Sequence, residues 1–277
     1  MQAKEINLGD YVLSGGGANG ESYFKKSDPS VLLKLYFPGR IQQPLDEMLL
    51  SRKVFKAGIP VPEPGEYVVT DDGRYGILFK RIKGKVSFAS AVGNNPHKVM
   101  EYAAEFARMC KGLHSTKIDT AEFANVKDRY LEMLSLNAFF TKAQKDKIAS
   151  FIENAPDADT AIHGDLQFGN AIFTEDKRYF IDLGDFCYGH PFFDLGMVYL
   201  TCKLGEEEFT SQVFHMDCKT ASSFWDAFAK EYFGEDVPLK GIEDEIRPYA
   251  ALKTLIIERD AGCTFPRYRK VLEQTIL

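Results

Sequence analysis

A chain of 277 residues is long enough for one large or two small domains, and 45% hydrophobic with 27% charged residues is ordinary for a globular protein. A formal net charge of −6 excludes whole-surface attraction to nucleic acid or anionic lipid and leaves open only a local basic cleft. Five cysteines without a C-x-x-C pair exclude a disulfide framework or a zinc site; with no apolar run near the N-terminus and none long enough to span a bilayer, a cytoplasmic protein with no membrane partner is expected.

The first eighty residues read as β-structure with one helix. Asp10 to Ser14 predicts a strand running into the cluster Gly15-Gly16-Gly17-Ala18-Asn19-Gly20, and Ser22 to Lys25 predicts a second strand leaving it. Asp28-Pro29 marks a turn before a third strand, Val31 to Tyr36. Pro44 opens a helix that stops at Gly58, and Pro60, Pro62 and Pro64 then enforce an extended connector. Tyr67 to Thr70 and Tyr75 to Ile82, joined through Asp71-Asp72-Gly73, predict a hairpin, and Lys83-Gly84-Lys85 reads as a linker. Beyond it Val99, Tyr102, Phe106, Cys110 and Leu113 mark one face of a long helix. Further helices are expected near 126–139 and 142–154, from Pro191, and over most of the remainder.

Two segments between residues 161 and 185 carry the chemistry. His163-Gly164-Asp165-Leu166-Gln167-Phe168-Gly169-Asn170 leads into an apolar–turn–apolar stretch that ends in Ile181-Asp182-Leu183-Gly184-Asp185. A hairpin symmetric about Asp176 makes Asn170 and Asp182 cross-strand partners, about 5 Å apart at Cβ. One amide oxygen and one carboxylate at that separation can share a Mg²⁺ ion. Asp165, at the start of the loop, is then placed to address a hydroxyl. The plain alternative is a pair of polar turns. His163 reads as a structural imidazole, Asp194 as mainly structural, and Asp185 as either a second metal ligand or a structural acid.

The glycine cluster satisfies G-x-G-x-x-G, but that dinucleotide fingerprint must open a helix, and here β-favouring residues follow. It is one residue from a P-loop, yet Glu21 stands where the lysine belongs and would repel phosphate. A glycine-rich turn between strands remains, able to lay Gly15, Gly16, Gly17 and Gly20 over a polyphosphate or to be a flexible turn only. Lys34, mid-strand among leucines, is either on a solvated face or paired. Glu47 on the next helix is a partner able to orient it, with Asp46 and Glu63 as substitutes.

Taken together, these residues resemble the aminoglycoside phosphotransferase and choline kinase group, which shares the protein-kinase-like fold. HGDLQFGN at 163–170 and IDLGD at 181–185 carry the likeness. Gly189-His190-Pro191-Phe192-Phe193-Asp194-Leu195, Ile59-Pro60-Val61-Pro62 and Leu113-His114 support it. It spans about residues 10–200 and is strongest over 160–196. The resemblance implies an α+β, bilobal fold with a small β-rich N-lobe (1–82) and a larger, mainly helical C-lobe (83–277). It implies ATP and Mg²⁺ as cofactors. Asp165 would be the catalytic base, and Asn170 and Asp182 the metal ligands. Lys34 would contact the phosphates, oriented by Glu47. Phe79, Lys80, Arg81 and Ile82 would supply the backbone edge that reads adenine.

The acceptor implied is a hydroxyl of a small molecule: a sugar, an amino alcohol or an aminoglycoside. Pro191 follows Asp182 within nine residues, no A-P-E follows, and Gly164 stands where protein kinases have arginine; each disfavours a polypeptide substrate. The rival readings are a nucleotide-binding but catalytically inactive relative, a binding module with plain turns and, last, a protein kinase. Glu206, Glu207, Glu208, Asp217, Asp226, Glu258 and Asp260 are candidates to attract a cationic acceptor, or else solvated surface. Tyr199, Phe224, Trp225 and Tyr232 are either an aromatic cage or core. Oligomeric state stays open, and no nucleic acid partner is expected.

Overall fold

Period-two alternation builds the N-terminal sheet. The computed structural model describes residues 1–17 and 19–277, apart from the side chains of Phe209 and Asp260, so Ala18 of the glycine cluster and the Asp260 carboxylate lie outside the described residues. Strands β1 (Lys4–Ile6), β2 (Tyr11–Gly17), β3 (Gly20–Lys25) and β4 (Val31–Tyr36) precede helix α1 (Gln42–Lys56), and β5 (Pro64–Thr70) and β6 (Tyr75–Lys80) follow it. They form one sheet in the order β1-β5-β6-β4-β3-β2, antiparallel except where β1 runs parallel to β5.

On one face of β4, Leu33 and Leu35 pack with Tyr11 and Val68. On the other, Tyr36 packs with Met48 of α1, Tyr67 and Ile77. Lys34 shares the Tyr36 face because alternate residues of a strand do. Helix α1 buries Pro44, Glu47, Met48, Ser51 and Val54, a three-and-four spacing, so Glu47 falls inside the stripe packed on that face.

Boundaries differ from the sequence reading for local reasons. The three glycines Gly15–Gly17 are strand, paired with β3 after a bulge between Leu13 and Gly15, so the turn is shorter than the cluster. Gly20 pairs with Tyr36, and a Cβ there would collide with the Leu35 carbonyl. Strand β6 stops at Lys80, two residues early, and Pro44 is the third residue of α1. Strand β1 was not anticipated; three residues leave no readable alternation.

After β7 (Val86–Ser87) come α2 (Phe88–Asn94), α3 (Val99–His114), α4 (Val126–Leu136) and α5 (Lys142–Asn154), then β8 (Ala161–Ile162), β9 (Ala171–Phe173), β10 (Arg178–Phe180) and β11 (Cys187–Tyr188). Helix α4 ends at Leu136, short of 139, because Asn137 turns extended and its Oδ1 accepts the Phe139 N–H at 2.8 Å. Then follow α6 (Phe192–Tyr199), a π-helical turn at Leu200–Leu204, α7 (Glu207–Phe214), α8 (Cys218–Phe233), α9 (Leu239–Ala261) and α10 (Pro266–Thr275). Among the described residues, no helix is long and apolar enough to cross a membrane.

The chain divides into two compact units, Met1–Val86 with Ile172–Gly184, and Ser87–Ala171 with Asp185–Leu277. The sequence reading divides the chain at 82/83 and leaves the hairpin in the helical part. Instead Ile172–Gly184 clusters with the first unit, where the Phe180 N–H donates to the Pro60 carbonyl at 2.8 Å. In the second unit Val126, Tyr130, Ile148, Ile152, Phe193, Tyr249 and Leu252 belong to one core. There α6 and α9 meet backbone to backbone. A Cβ at Gly196 would lie 2.7 Å from the Tyr249 carbonyl carbon, so only glycine permits this approach.

Candidate active site

In the first unit, a cavity of about 470 Å³ is walled by Gly16, Gly17 and Gly20, by Lys34 and Glu47, by Phe79 to Ile82, and by Asp182. Ten of the sequence-predicted residues therefore share one wall; Gly15 is not among the lining residues. The volume suits a nucleotide-sized ligand.

Lys34 is the centre of its charge network. Its ammonium donates to both Glu47 oxygens, at 2.7 and 2.9 Å, and to Asp182 Oδ1 at 2.7 Å. Glu47, not Asp46 or Glu63, is the partner. Burial works against the Lys34 ammonium, but the Glu47 and Asp182 charges outweigh it and hold its pKa above the ordinary lysine value. Tyr36, two residues along the same face, donates its hydroxyl to Glu47 Oε2. Burial, then the Glu47 charge, push that phenol far above its ordinary pKa, so it stays a donor. Glu47 is thus held from two sides of one strand face.

At the Phe79–Ile82 edge, two backbone donors are already used. The Lys80 N–H reaches the Glu63 carbonyl at 3.0 Å, and the Arg81 N–H the Ser30 carbonyl at 2.7 Å. The Arg81 guanidinium lies 4.5 Å from the Phe24 ring centroid.

In the second unit, the 163–170 loop is fastened from inside and from behind. Asn170 Nδ2 donates to the Asp165 carbonyl at 3.0 Å and to Asp165 Oδ2 at 2.8 Å, which leaves the amide oxygen as its side-chain acceptor. From behind, Asp194, fully buried at the start of α6, accepts the His163 N–H at 2.7 Å and the Gly164 N–H at 2.8 Å. His114 Nε2 lies 3.1 Å from Asp194 Oδ2, and its Nδ1 lies 2.8 Å from the Tyr232 hydroxyl. Burial alone would raise the Asp194 pKa, but hydrogen bonding and charge from His114 bring it below the ordinary value. Asp185 is held by Arg129 of α4, which favours the structural reading over metal ligation.

The expected hairpin geometry needs correction. The Thr174 N–H donates to the Lys177 carbonyl at 2.8 Å, which centres the turn between Glu175 and Asp176 rather than on Asp176. Strand β9 begins after Asn170 and β10 ends before Asp182, so neither residue belongs to the ladder. Asp182 instead takes a left-handed backbone, φ 64°, strained for a non-glycine residue and a conformation found at functional sites. Asn170 and Asp182 fall in different compact units. Among the described residues, no cluster of three His, Cys, Asp or Glu forms a metal site. By donor chemistry each residue offers a hard oxygen, an amide oxygen on Asn170 and a carboxylate on Asp182, of the kind Mg²⁺ takes beside phosphate oxygens and water.

Sequence reasoning missed Lys253. Its side chain is 1% exposed and its Nζ donates to the Gly164 carbonyl at 3.1 Å. A Leu-Lys-Thr-Leu run gives no sign of it; the only hint is its spacing of four from Tyr249 and three from Ala250. The C-terminal acids are largely committed. Asp217 caps α8 through the Thr220 N–H, Glu207 accepts the Cys218 N–H, and Asp226 binds Lys203. Glu258, fully buried, pairs with Arg269 at 2.6 and 2.7 Å. Tyr199, Phe224 and Trp225 are core, with Trp225 donating to Glu243 at 2.9 Å, and no aromatic cage forms from them.

A family model described as a phosphotransferase enzyme family matches residues 12–229. The chain belongs to this phosphotransferase family. No curated protein matches it by sequence. Among solved structures, the phosphotransferase is similar to amicoumacin kinase in complex with AMP-PNP, Ca²⁺ and Ami, at TM-score 0.62 and 15% identity, over 99% of this chain and 91% of that one. It is similar to a choline/ethanolamine kinase family protein from Mesorhizobium loti, at TM-score 0.53 and 17% identity, over 96% and 85% of the two chains. An aminoglycoside phosphotransferase from Streptomyces rimosus matches at TM-score 0.58 and 18% identity, over 89% and 93%. At these identities the likeness establishes the fold: the phosphotransferase has the α+β, kinase-like architecture expected, with a β-rich N-terminal part and a helical C-terminal part.

Proposed function

We propose that this phosphotransferase moves the γ-phosphate of Mg-ATP to a hydroxyl of a small molecule. The observation that carries the reading is Lys34, held between Glu47 and Asp182 on the wall of a cavity that also contains the glycine strands and the Phe79–Ile82 edge. Phosphoryl transfer asks the protein for in-line positioning and charge neutralisation more than covalent chemistry. Lys34 would exchange its Asp182 contact for phosphate oxygens while Glu47, kept by Tyr36, continues to orient it. Asn170 and Asp182 would hold Mg²⁺, whose charge, when bound, offsets that of the triphosphate. Asp165 would accept a hydrogen bond from the acceptor hydroxyl and take its proton late in transfer, its side chain steadied by Asn170 Nδ2.

A small acceptor is favoured by the segment after Asp182. Tyr188 pairs with Ala161, and the Gly189 N–H donates to the Thr160 carbonyl at 3.0 Å, so the stretch before α6 is tied down as strand β11. No long segment is left there to display a polypeptide. The committed C-terminal acids weigh against recognising a polycation through those side chains, and favour a sugar or amino-alcohol hydroxyl.

The test is ATP-dependent phosphorylation across a panel of sugars, amino alcohols, aminoglycosides and a peptide, with Mg-ATP binding read by thermal shift. Transfer to one small-molecule class supports the reading. Binding without transfer to any acceptor, or to water, supports the catalytically inactive alternative, and absence of a Mg-ATP shift removes both.

A further inference from the structure

Gly20 is pressed against the sheet, where it pairs with Tyr36 and a Cβ on it would collide with the Leu35 carbonyl. Its neighbours Asn19 and Glu21 line the same cavity wall, and each is held by an arginine that the reaction described above leaves unused. Glu21 is an acid that would repel a phosphate if it faced one. It pairs with Leu35 while Ser22 pairs with Lys34, and paired side chains share a face, so the Glu21 carboxylate stands on the face opposite Lys34. There Arg74 Nη1 donates to Glu21 Oε2 at 2.7 Å, and the Tyr23 hydroxyl donates to the same oxygen at 2.6 Å. These hydrogen bonds, from Tyr23 first and Arg74 second, hold the Glu21 carboxyl below the ordinary carboxylate range.

Arg74 is itself fixed by the turn between β5 and β6. Its Nε donates to Asp72 Oδ2 at 2.8 Å, its backbone N–H donates to Asp72 Oδ1 at 3.2 Å, and its carbonyl accepts the Thr70 N–H at 2.9 Å. The contact with Glu21 spans 53 positions of sequence and bridges β4, which β6 and β3 flank. Arg40, between β4 and α1, takes the other neighbour of Gly20. Its Nη1 donates to Asn19 Oδ1 at 2.6 Å and to Gln43 Oε1 of α1 at 2.9 Å, while the Asn19 carbonyl accepts the Phe37 N–H at 3.2 Å. Gly15, Gly16, Gly17 and Gly20 have no side chains with which to fasten this turn, and glycine loses the most backbone freedom when it is ordered. The two arginines supply the fastening from outside.

We propose that Arg40 and Arg74 are positioning residues for the nucleotide: acting through Asn19 and Glu21, they set the glycine turn in the shape that covers a polyphosphate. This rests on the reading of the cavity as a nucleotide site. Neither arginine is among the residues that line the cavity. Their effect on affinity is the ordering of glycine backbone that binding then no longer has to supply.

The experiment compares the wild-type chain with Arg40→Gln, Arg74→Gln and Glu21→Ala. Mg-ATP affinity is read by calorimetry, adenosine affinity by saturation-transfer NMR, and order of the turn by amide hydrogen exchange over residues 20–22. Each variant exchanges faster there and binds Mg-ATP about threefold to tenfold more weakly, the worth of one hydrogen bond. Each binds adenosine as wild type does, because adenosine has no phosphate for the turn to cover. Arg74→Gln combined with Glu21→Ala loses no more than either alone, since both remove the same contact. Arg40 and Arg74 reach the turn from separate elements, so one carries the test if the other variant does not fold. Wild-type Mg-ATP affinity in the folded arginine variants overturns the proposal, whatever the exchange shows. So does an equal loss of Mg-ATP and adenosine, which marks general damage to the fold, and so does a Glu21→Ala that binds Mg-ATP more tightly, which marks Glu21 as a source of repulsion only. A wild type that binds neither Mg-ATP nor adenosine removes the nucleotide reading itself; a wild type that binds both, beside unaltered variants, removes only the role of the arginines.

Discussion

Lys34 and Asp182 keep 23% and 42% of their side chains exposed, whereas His114 and Asp194 keep 2% and none. The first pair bonds side chain to side chain on a cavity wall, in a geometry that a ligand can displace. In the second, His114 meets the Asp194 carboxylate, which also accepts two backbone N–H groups behind a loop, out of reach of any ligand. Ion pairs that must open during function belong at a partly solvated edge, where breaking them is inexpensive. Those that hold a loop in a strained shape belong in the interior, where losing one partner is severe. Substitutions in the first group are therefore expected to change binding and leave the fold, and those in the second to change both.

The largest effect that sharpens this contrast is at Asp165. Asp165→Ala is expected to lower turnover by about 10²–10⁴-fold, the usual span for a positioned base, with Mg-ATP binding nearly unchanged by calorimetry. Normal turnover would remove Asp165 from its role. Next is Asp194→Ala, which leaves His114 and two loop N–H groups facing a void. A loss of about 3–5 kcal/mol is expected in urea unfolding; a loss under 1 kcal/mol would mean that the loop does not depend on its buried anchor. Lys34→Met should leave the urea midpoint close to wild type while weakening Mg-ATP binding by about tenfold to a hundredfold, the worth of hydrogen bonds to charged groups. A melted fold there would erase the distinction between the regions. Tyr36→Phe removes one donor from Glu47 and should weaken nucleotide binding by a smaller factor, about threefold to tenfold, read by the same titration.

The smallest effect is a pH dependence. The Asp194 carboxyl in the folded protein lies below the value of 3.8 it has when free. Its contribution to stability is complete above 3.8 and is lost as pH falls through the lower, folded value. Between pH 5 and pH 2 the wild type should lose stability more steeply than Asp194→Asn, measured by urea midpoints. Parallel curves would show that Asp194 contributes nothing through its charge.

Much of the site was legible in local sequence because its residues come in short runs. HGDLQFGN and IDLGD each need only a loop and a strand end to form, and a strand lysine followed by a helix glutamate needs only one sheet-and-helix contact. The hairpin register was misjudged because a two-residue turn moves the symmetry centre by half a residue, which reverses which side chains oppose. The boundaries of α4 and β6 were off because a single Asx turn and two backbone bonds to distant carbonyls ended them.

Composition and pattern alone determined a β-rich beginning, a helical remainder and a kinase-like order of polar residues, because strand alternation, helix spacing and turn chemistry act over a few neighbours. The tertiary structure alone decided that Glu47 rather than Asp46 or Glu63 takes Lys34, that Tyr36 secures Glu47, that Asp185 belongs to Arg129, and that Lys253 stands behind Gly164. Those choices depend on burial and on contacts tens of residues apart, where the cost of an uncompensated charge, invisible in a linear pattern, selects the partner.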